Sequence, residues 1–242
     1  MNNQNISFSI EERETLYNII FNRRDVRAEF TSQPIEDEIL ARLLVAAHHA
    51  PSVGFMQPWN FLLIDEKETQ KKVHQLFDEA NKEASEMFEG QRKNLYQNLK
   101  LEGLLKAPLH VCITCDRDRA GPVVLGRTHM SNMDLYSTVC AVQNFWLAAR
   151  AENIGVGWVS IFHEDELKQL LGIPETLHII AYLTVGHVSS FNKKPDLERK
   201  GWRKRLNLKE LIKHNNWQDS KNDNLTSLID KELKKQNPDE TS

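Results

Sequence analysis

Hydrophobic positions alternate between helical and strand periods along this chain, and each change of period predicts an element. Ser9-Ile10-Glu11-Glu12 reads as a capping box, opening a helix that runs through Leu16, Ile19 and Ile20 to the cluster Arg23-Arg24-Asp25-Val26-Arg27. Pro34 is placed to enter the first turn of a second helix. Its core face is Ile35, Ile39, Leu40, Leu43, Leu44 and Ala47, and His48 and His49 close it. Phe61-Leu62-Leu63-Ile64 predicts a buried strand. From Glu66 to about Leu105 the spacing predicts one or two surface helices interrupted near Gly90, and Leu109 to Cys115 a second buried strand. Ser131-Asn132-Met133-Asp134 is expected to cap a helix that is apolar nearly all round (Leu135, Val139, Ala141, Val142, Phe145, Trp146, Leu147, Ala149) and that Asn153 and Gly155 end. Such a helix belongs in a core or a subunit interface. A glycine-bearing strand over Gly155–Ile161, a short helix over Glu164–Leu171, a long strand over Leu177–Val188 and a short helix entered from Leu206-Asn207-Leu208 complete the pattern.

Helices and strands are intermixed without a regular βαβ rhythm, and no glycine-rich phosphate turn follows the first strand, so the fold class is α+β rather than a doubly wound sheet. We expect one domain over residues 11–213, a flexible lead-in over 1–10, and a polar, mobile tail over 214–242. No internal repeat is visible.

Composition narrows the function classes. At 242 residues, with 40% hydrophobic and 27% charged residues, the chain is of ordinary globular type. A net charge of −3 and a pI near 6.3 give no electrostatic footprint for nucleic acid or an anionic membrane. No apolar run is long enough to span a bilayer, and Met1–Asn5 has no signal-type core. Three cysteines argue against a disulfide framework and for a reducing compartment, so a cytoplasmic location is expected. Cys112-x-x-Cys115 falls on a strand, where residues three apart face opposite sides, and nothing nearby completes a tetrahedral metal set. His48 and His49, adjacent on a helix, point about 100° apart. No metal is expected.

Two stretches carry candidate chemistry. The helix-to-strand crossing Pro51-Ser52-Val53-Gly54-Phe55-Met56-Gln57-Pro58-Trp59 is stiffened by two prolines, yet holds a hydroxyl, an amide and an indole, the composition of a ligand-contacting loop or of a rigid crossover. In the Arg23–Arg27 cluster, three guanidinium groups suit a phosphate. The same residues also suit a solvated helix end, where the dipole favours cations. A second basic cluster, Arg203-Lys204-Arg205, lies near the C-terminus.

These stretches, followed by Gly155-Val156-Gly157-Trp158-Val159-Ser160, stand in an order that resembles the flavin-dependent nitroreductase superfamily over roughly residues 12 to 208. The spelling Arg-Arg-Asp-Val-Arg, with Ala-Pro-Ser-Val-Gly-Phe-Met-Gln-Pro-Trp, looks like the branch of that superfamily that destroys flavin. The resemblance implies a central antiparallel sheet wrapped by helices, in an intertwined homodimer with FMN at the interface. It implies that Arg23, Arg24 and Arg27, with Arg203 or Arg205, hold the flavin's phosphate and ring edge around Asp25 and Val26. Pro51, Ser52, Val53, Met56, Gln57 and Trp59 would reach the ring from the other subunit, Phe55, Met56 and Trp59 serving as a lid. Gly157, Trp158 and Ser160 would line the site from the strand. In that branch reduced FMN is the substrate: dioxygen attacks it, and the ring is fragmented to 5,6-dimethylbenzimidazole with release of erythrose 4-phosphate. Asp25 and Ser160 match the family's two catalytic positions, here expected to serve as proton shuttle and positioning donor. Reducing equivalents would come from NAD(P)H through a separate flavin reductase. Relatives that keep and reduce their flavin, or bind it without turnover, are the other readings.

Overall fold

The apolar runs become four antiparallel strands in the computed structural model, which describes residues 7–99, 103–219 and 223–236. These are β1 (Trp59–Ile64), β2 (Leu109–Asp116), β3 (Ile154–Val159) and β4 (Leu177–His187), ordered β1-β2-β4-β3. Register is set by pairs such as Trp59 with Cys115, Leu109 with Val185 and Val156 with Val185, with an irregularity in β2 between Ile113 and Thr114. The helices are α1 (Ile10–Asn22), α2 (Asp37–His48), α3 (Lys67–Glu86), α4 (Gly90–Gln97), α5 (Met133–Ala151), α6 (Glu164–Leu171), α7 (Asp196–Arg199), α8 (Leu208–Leu211) and α9 (Asp223–Gln236). The chain divides into two compact units, 1–196 and 197–242, and the whole sheet lies in the first.

Why β2 and β4 read as continuous apolar runs is clear from what covers them, whereas β1, expected to be buried, exposes Leu62 and Leu63 at the sheet edge. On one face Val111, Ile113, Leu183 and Val185 pack with Leu43 and Ala47 of α2 and Val142, Phe145 and Ala149 of α5. On the other, Cys112 and Tyr182 pack with Val73 and Phe77 of α3 and Leu167 of α6. A sheet buried on both faces needs apolar residues at every position, not at every second one. Cys112 and Cys115 are fully buried, and burial pushes the Cys112 thiol up to about 12, the behaviour of an inert core cysteine. Among the described residues no group of three or more potential ligands could hold a metal, and no helix is long and apolar enough to cross a membrane.

The capping box forms as expected: Ser9 Oγ accepts from the Glu12 N–H at 3.2 Å and the Glu12 carboxylate accepts from the Ser9 N–H at 2.7 Å. α6 has the expected bounds, and the break before Gly90 separates α3 from α4. Other expectations are corrected. Pro34 lies outside α2, whose N-cap is Glu36. Asn132 stands at the N-cap of α5 without a side-chain cap. Asn153 alone makes the left-handed turn after α5 (φ 58°), because Gly155 is already strand. β3 stops at Val159, so Ser160 follows the strand instead of lying in it. The segment from His214 onward, expected to be a polar tail, contains the 14-residue helix α9. Residues 1–6 of the expected lead-in, and 220–222 and 237–242 of the expected tail, lie outside the described residues.

The sheet also buries a titratable pair. His110 on β2 is fully buried; its Nε2–H donates to the Leu104 carbonyl at 2.8 Å, and its Nδ1 accepts from the Tyr182 hydroxyl at 2.8 Å. Burial pushes His110 down from 6.5 to about 4, with the Leu104 carbonyl opposing. In the unfolded chain the ring takes a proton below pH 6.5, whereas the folded ring resists until about 4. Stability is therefore complete above pH 6.5 and is lost as pH falls, by roughly 3 kcal/mol across the window. Urea unfolding at pH 7 and pH 4.5 checks this. His110→Gln is expected to be less stable at pH 7 and to lose less on acidification.

Candidate functional site

α1 ends where Arg23 leaves the helix with φ −66° and ψ 134°, and the chain runs extended into a parallel bridge between Asp25 and Val156 of β3. The Val26 N–H donates to the Val156 carbonyl at 3.0 Å, and the Val26 side chain is buried. The Arg23–Arg27 cluster is thus no loose helix terminus but an extra strand-like segment on the edge of the sheet. Its approach to β3 is very close. A Cβ on Gly157 would sit 2.2 Å from the Val26 carbonyl oxygen and 2.7 Å from Thr184 Oγ1. Gly157 was expected to line the site; the group that comes close beside it is this chain's own backbone.

The bridge aims Asp25. Its Oδ1 accepts from the Trp158 N–H at 2.9 Å and its Oδ2 from Arg27 Nε at 2.8 Å. The carboxylate is fixed on both oxygens while its side chain stays 30% exposed, so it remains reachable. A carboxylate has about four lone-pair sites, and two donors leave the others for a ligand. The three arginines differ. Arg23 stacks over the Trp146 ring at 4.6 Å from its centroid. Arg24 donates to the carbonyls of Phe21 (2.7 Å), Arg23 (2.8 Å) and Lys193, a tie between backbone segments. Arg27 holds Asp25. Ser160 is exposed, two residues beyond Trp158, just past the end of β3. Arg203 and Arg205 are exposed in the irregular segment before α8 in the second unit.

The Pro51–Trp59 crossing is as constrained as its composition suggested. It contains a 3₁₀ turn, Val53–Phe55, and positive φ at Gly54, Phe55 and Gln57. Two non-glycine residues in that region signal a conformation imposed by surroundings. Ser52 Oγ accepts from the Gln57 N–H at 3.1 Å, and the Val53 N–H donates to Ser137 Oγ on α5 at 3.0 Å. Ser52, Val53 and Gln57 are half-buried, and Pro51 and Phe55 are exposed. Met56 and Trp59 are not lid residues: both are buried, and the Trp59 indole N–H donates to Nδ1 of the exposed His48 at 3.2 Å. Of the expected lid, Phe55 alone projects outward.

Within this single chain the two halves do not meet. The crossing leads into β1 at one edge of the sheet and the Asp25 segment lies outside β3 at the other, four strand spacings or about 19 Å from β1. Sequence reasoning also missed a buried ion cluster on the loop after β2. Asp134, fully buried, accepts from Arg117 Nε at 3.0 Å and Arg127 Nη1 at 2.6 Å. Burial alone would raise its carboxyl, but the two guanidinium hydrogen bonds outweigh it and hold the group below its usual range. A buried acid at the head of an apolar helix, with two arginines shortly upstream, was the available signal.

Sheet order, helical wrapping and the Asp25 bridge define a class, and comparison with known proteins agrees: the chain belongs to the Nitroreductase family, whose model matches residues 20–187. Among curated proteins, it is 39% identical over 183 residues to the 5,6-dimethylbenzimidazole synthase of Rhodospirillum rubrum, covering 76% of this chain and 86% of that one. It is 34% identical over 201 residues to the protein of the same name from Rhodobacter capsulatus, covering 83% and 97%. Among solved structures, an iodotyrosine deiodinase bound to FMN and 3-iodo-L-tyrosine superposes with a TM-score of 0.66 at 20% identity, covering 84% of this chain and all of that one. That likeness is one of fold.

Proposed function

We propose that this protein catalyses the oxygen-dependent fragmentation of reduced FMN to 5,6-dimethylbenzimidazole, the lower ligand of cobalamin, with release of D-erythrose 4-phosphate. The observation that carries the reading is the Asp25 carboxylate, held at the edge of the sheet by Trp158 N–H and Arg27 and still partly exposed. The two relatives named as 5,6-dimethylbenzimidazole synthases support it.

The residues present fit an anionic flavin. Arg23 and Arg27 supply guanidinium groups beside an extended backbone segment, and guanidinium pairs hold phosphate oxygens in two-point contacts. Arg24 serves by tying that segment down. Ser52, Val53 and Gln57 would complete the site from a second copy of the chain, because in one protomer they lie at the far edge of the sheet. A homodimer also accounts for α1, which buries none of its residues and exposes Leu16, Tyr17, Ile20 and Phe21, and for Tyr136 and Val139 exposed on α5.

When bound, reduced flavin supplies the electrons and carbon skeleton of the reaction, and dioxygen is the oxidant. Asp25 accepts and returns protons at the ligand on a lone pair left by its two fixed hydrogen bonds. Arg27, paired to the other oxygen, keeps the carboxylate from rotating away. Ser160, at the open end of β3, donates a hydrogen bond that orients the ligand. Reduced FMN would arrive from a separate NAD(P)H-dependent flavin reductase, in the cytoplasm.

Membership of the Nitroreductase family favours one alternative, direct reduction of bound FMN by NAD(P)H. Anaerobic addition of NADH or NADPH to the protein with oxidised FMN separates the two. We expect no bleaching of the flavin band on the timescale of turnover; prompt bleaching would replace the synthase reading with that of an oxidoreductase.

A further inference from the structure

The loop after β2 is joined to the Pro51–Trp59 crossing by a set of contacts that neither the family resemblance nor the proposed chemistry uses. Arg119 is central. Its Nη1 donates to the main-chain carbonyls of Gln57 at 2.7 Å and Trp59 at 2.8 Å, and its Nη2 to Asn60 Oδ1. One guanidinium thus spans the end of the crossing just where Gln57 has positive φ. The two loops also interlock through reciprocal glycine and valine pairs. A Cβ on Gly54 would meet Val124 Cγ1 at 2.6 Å, and a Cβ on Gly126 would meet Val53 Cγ2 at 2.9 Å. The far side of the loop is anchored on α5, where Arg117 and Arg127 converge on the buried Asp134. Arg127 also donates to the carbonyls of Arg117 and Gly121, so loop and anchor are one framework.

We infer that Arg119 is a positioning residue: it holds the 51–59 crossing in its high-φ conformation and, through that loop, sets the affinity for flavin. The second half of this statement rests on the proposed role of the crossing in flavin contact. The physical reason is preorganisation. Positive φ at Phe55 and Gln57 is disfavoured in the free chain, so without external bonds the loop relaxes and must be re-ordered whenever a ligand binds. Charge-assisted bonds to carbonyls are about twice as strong as neutral ones, which makes a single arginine sufficient. A lysine has three donors but no rigid fork, so it replaces the arginine only in part.

The test uses the full chain with Arg119→Met and Arg119→Lys. A third of the Arg119 side chain is exposed, so removing the head group leaves no buried charge behind. Hydrogen exchange is followed at the amides of Phe55, Met56 and Gln57, all of which are bonded within the loop. In Arg119→Met these should exchange about tenfold faster or more, with the Val26 amide unchanged. KM for reduced FMN should rise about tenfold with kcat within twofold, since a misplaced loop weakens ground state and transition state alike. Arg119→Lys should fall between wild type and Arg119→Met on both readouts. Unchanged exchange in Arg119→Met overturns the inference, as does a loosened loop with unaltered KM. If the wild-type protein takes up no reduced FMN, the functional proposal falls, and the exchange arm still decides whether Arg119 holds the loop.

Discussion

Asp25→Asn is expected to lower formation of 5,6-dimethylbenzimidazole from reduced FMN and air by about 10²-fold or more, while FMN affinity changes by only a few fold. The magnitude is that of a lost general acid–base group. Asparagine has nearly the same volume and can still accept from the Trp158 N–H, so the backbone bridge to Val156 survives. What it loses is the second anionic oxygen, now replaced by a donor facing Arg27, and with it the ability to take a proton. Affinity and turnover therefore separate. Equilibrium titration with FMN and single-turnover product analysis measure the two. Full yield from Asp25→Asn would remove the proton-shuttle role; loss of binding in proportion to yield would make Asp25 a binding residue instead.

The second large effect is structural and is predicted at Gly157→Ala. The added Cβ would sit 2.2 Å from a carbonyl oxygen on a segment bonded to the sheet, and backbone yields far less readily than a side chain. Either the Asp25–Val26 segment lifts from β3 or the strand distorts. Overpacking of this kind costs about 3 kcal/mol. We expect a lower denaturation midpoint together with loss of FMN affinity, because Arg23, Asp25 and Arg27 all ride on the displaced segment. Wild-type stability and binding in this variant would show that the segment is not clamped to β3 as described.

Much of this architecture was legible in the sequence because it rests on local rules. The capping box at Ser9 and Glu12, the bounds of α6 and the apolar runs of β2 and β4 each follow from short-range pattern. What pattern cannot give is pairing at a distance. Arg23, Arg24 and Arg27 read as equivalent phosphate ligands, yet the fold divides them among a Trp146 face, backbone carbonyls and Asp25. Trp59 read as a lid residue because the resemblance set its loop against the flavin; in the fold it opens β1, pairs with Cys115 and is buried. The sequence assigns no role to the loop after β2 because Arg117, Arg119 and Arg127 gain meaning only when Asp134 and the carbonyls of Gln57 and Trp59 come within reach. α9 had a local signal that polarity masked: Leu225, Leu228, Ile229 and Leu233 recur at helical spacing among Asp, Lys and Gln.

The glycines carry the same lesson. Gly157 read as a residue lining the site, and the Val26 backbone lies against it. Gly54, at positive φ in the crossing, is the seat for Val124 from a loop some seventy residues later in the chain. Small residues mark close approaches reliably, but what approaches is decided by topology.

Mixing the purified protein with chemically reduced FMN under nitrogen, admitting air, and assaying for 5,6-dimethylbenzimidazole by chromatography and mass tests the central claim most directly. The account predicts that product, dependent on the protein and on Asp25, with erythrose 4-phosphate formed alongside. Quantitative recovery of intact, reoxidised FMN would contradict it.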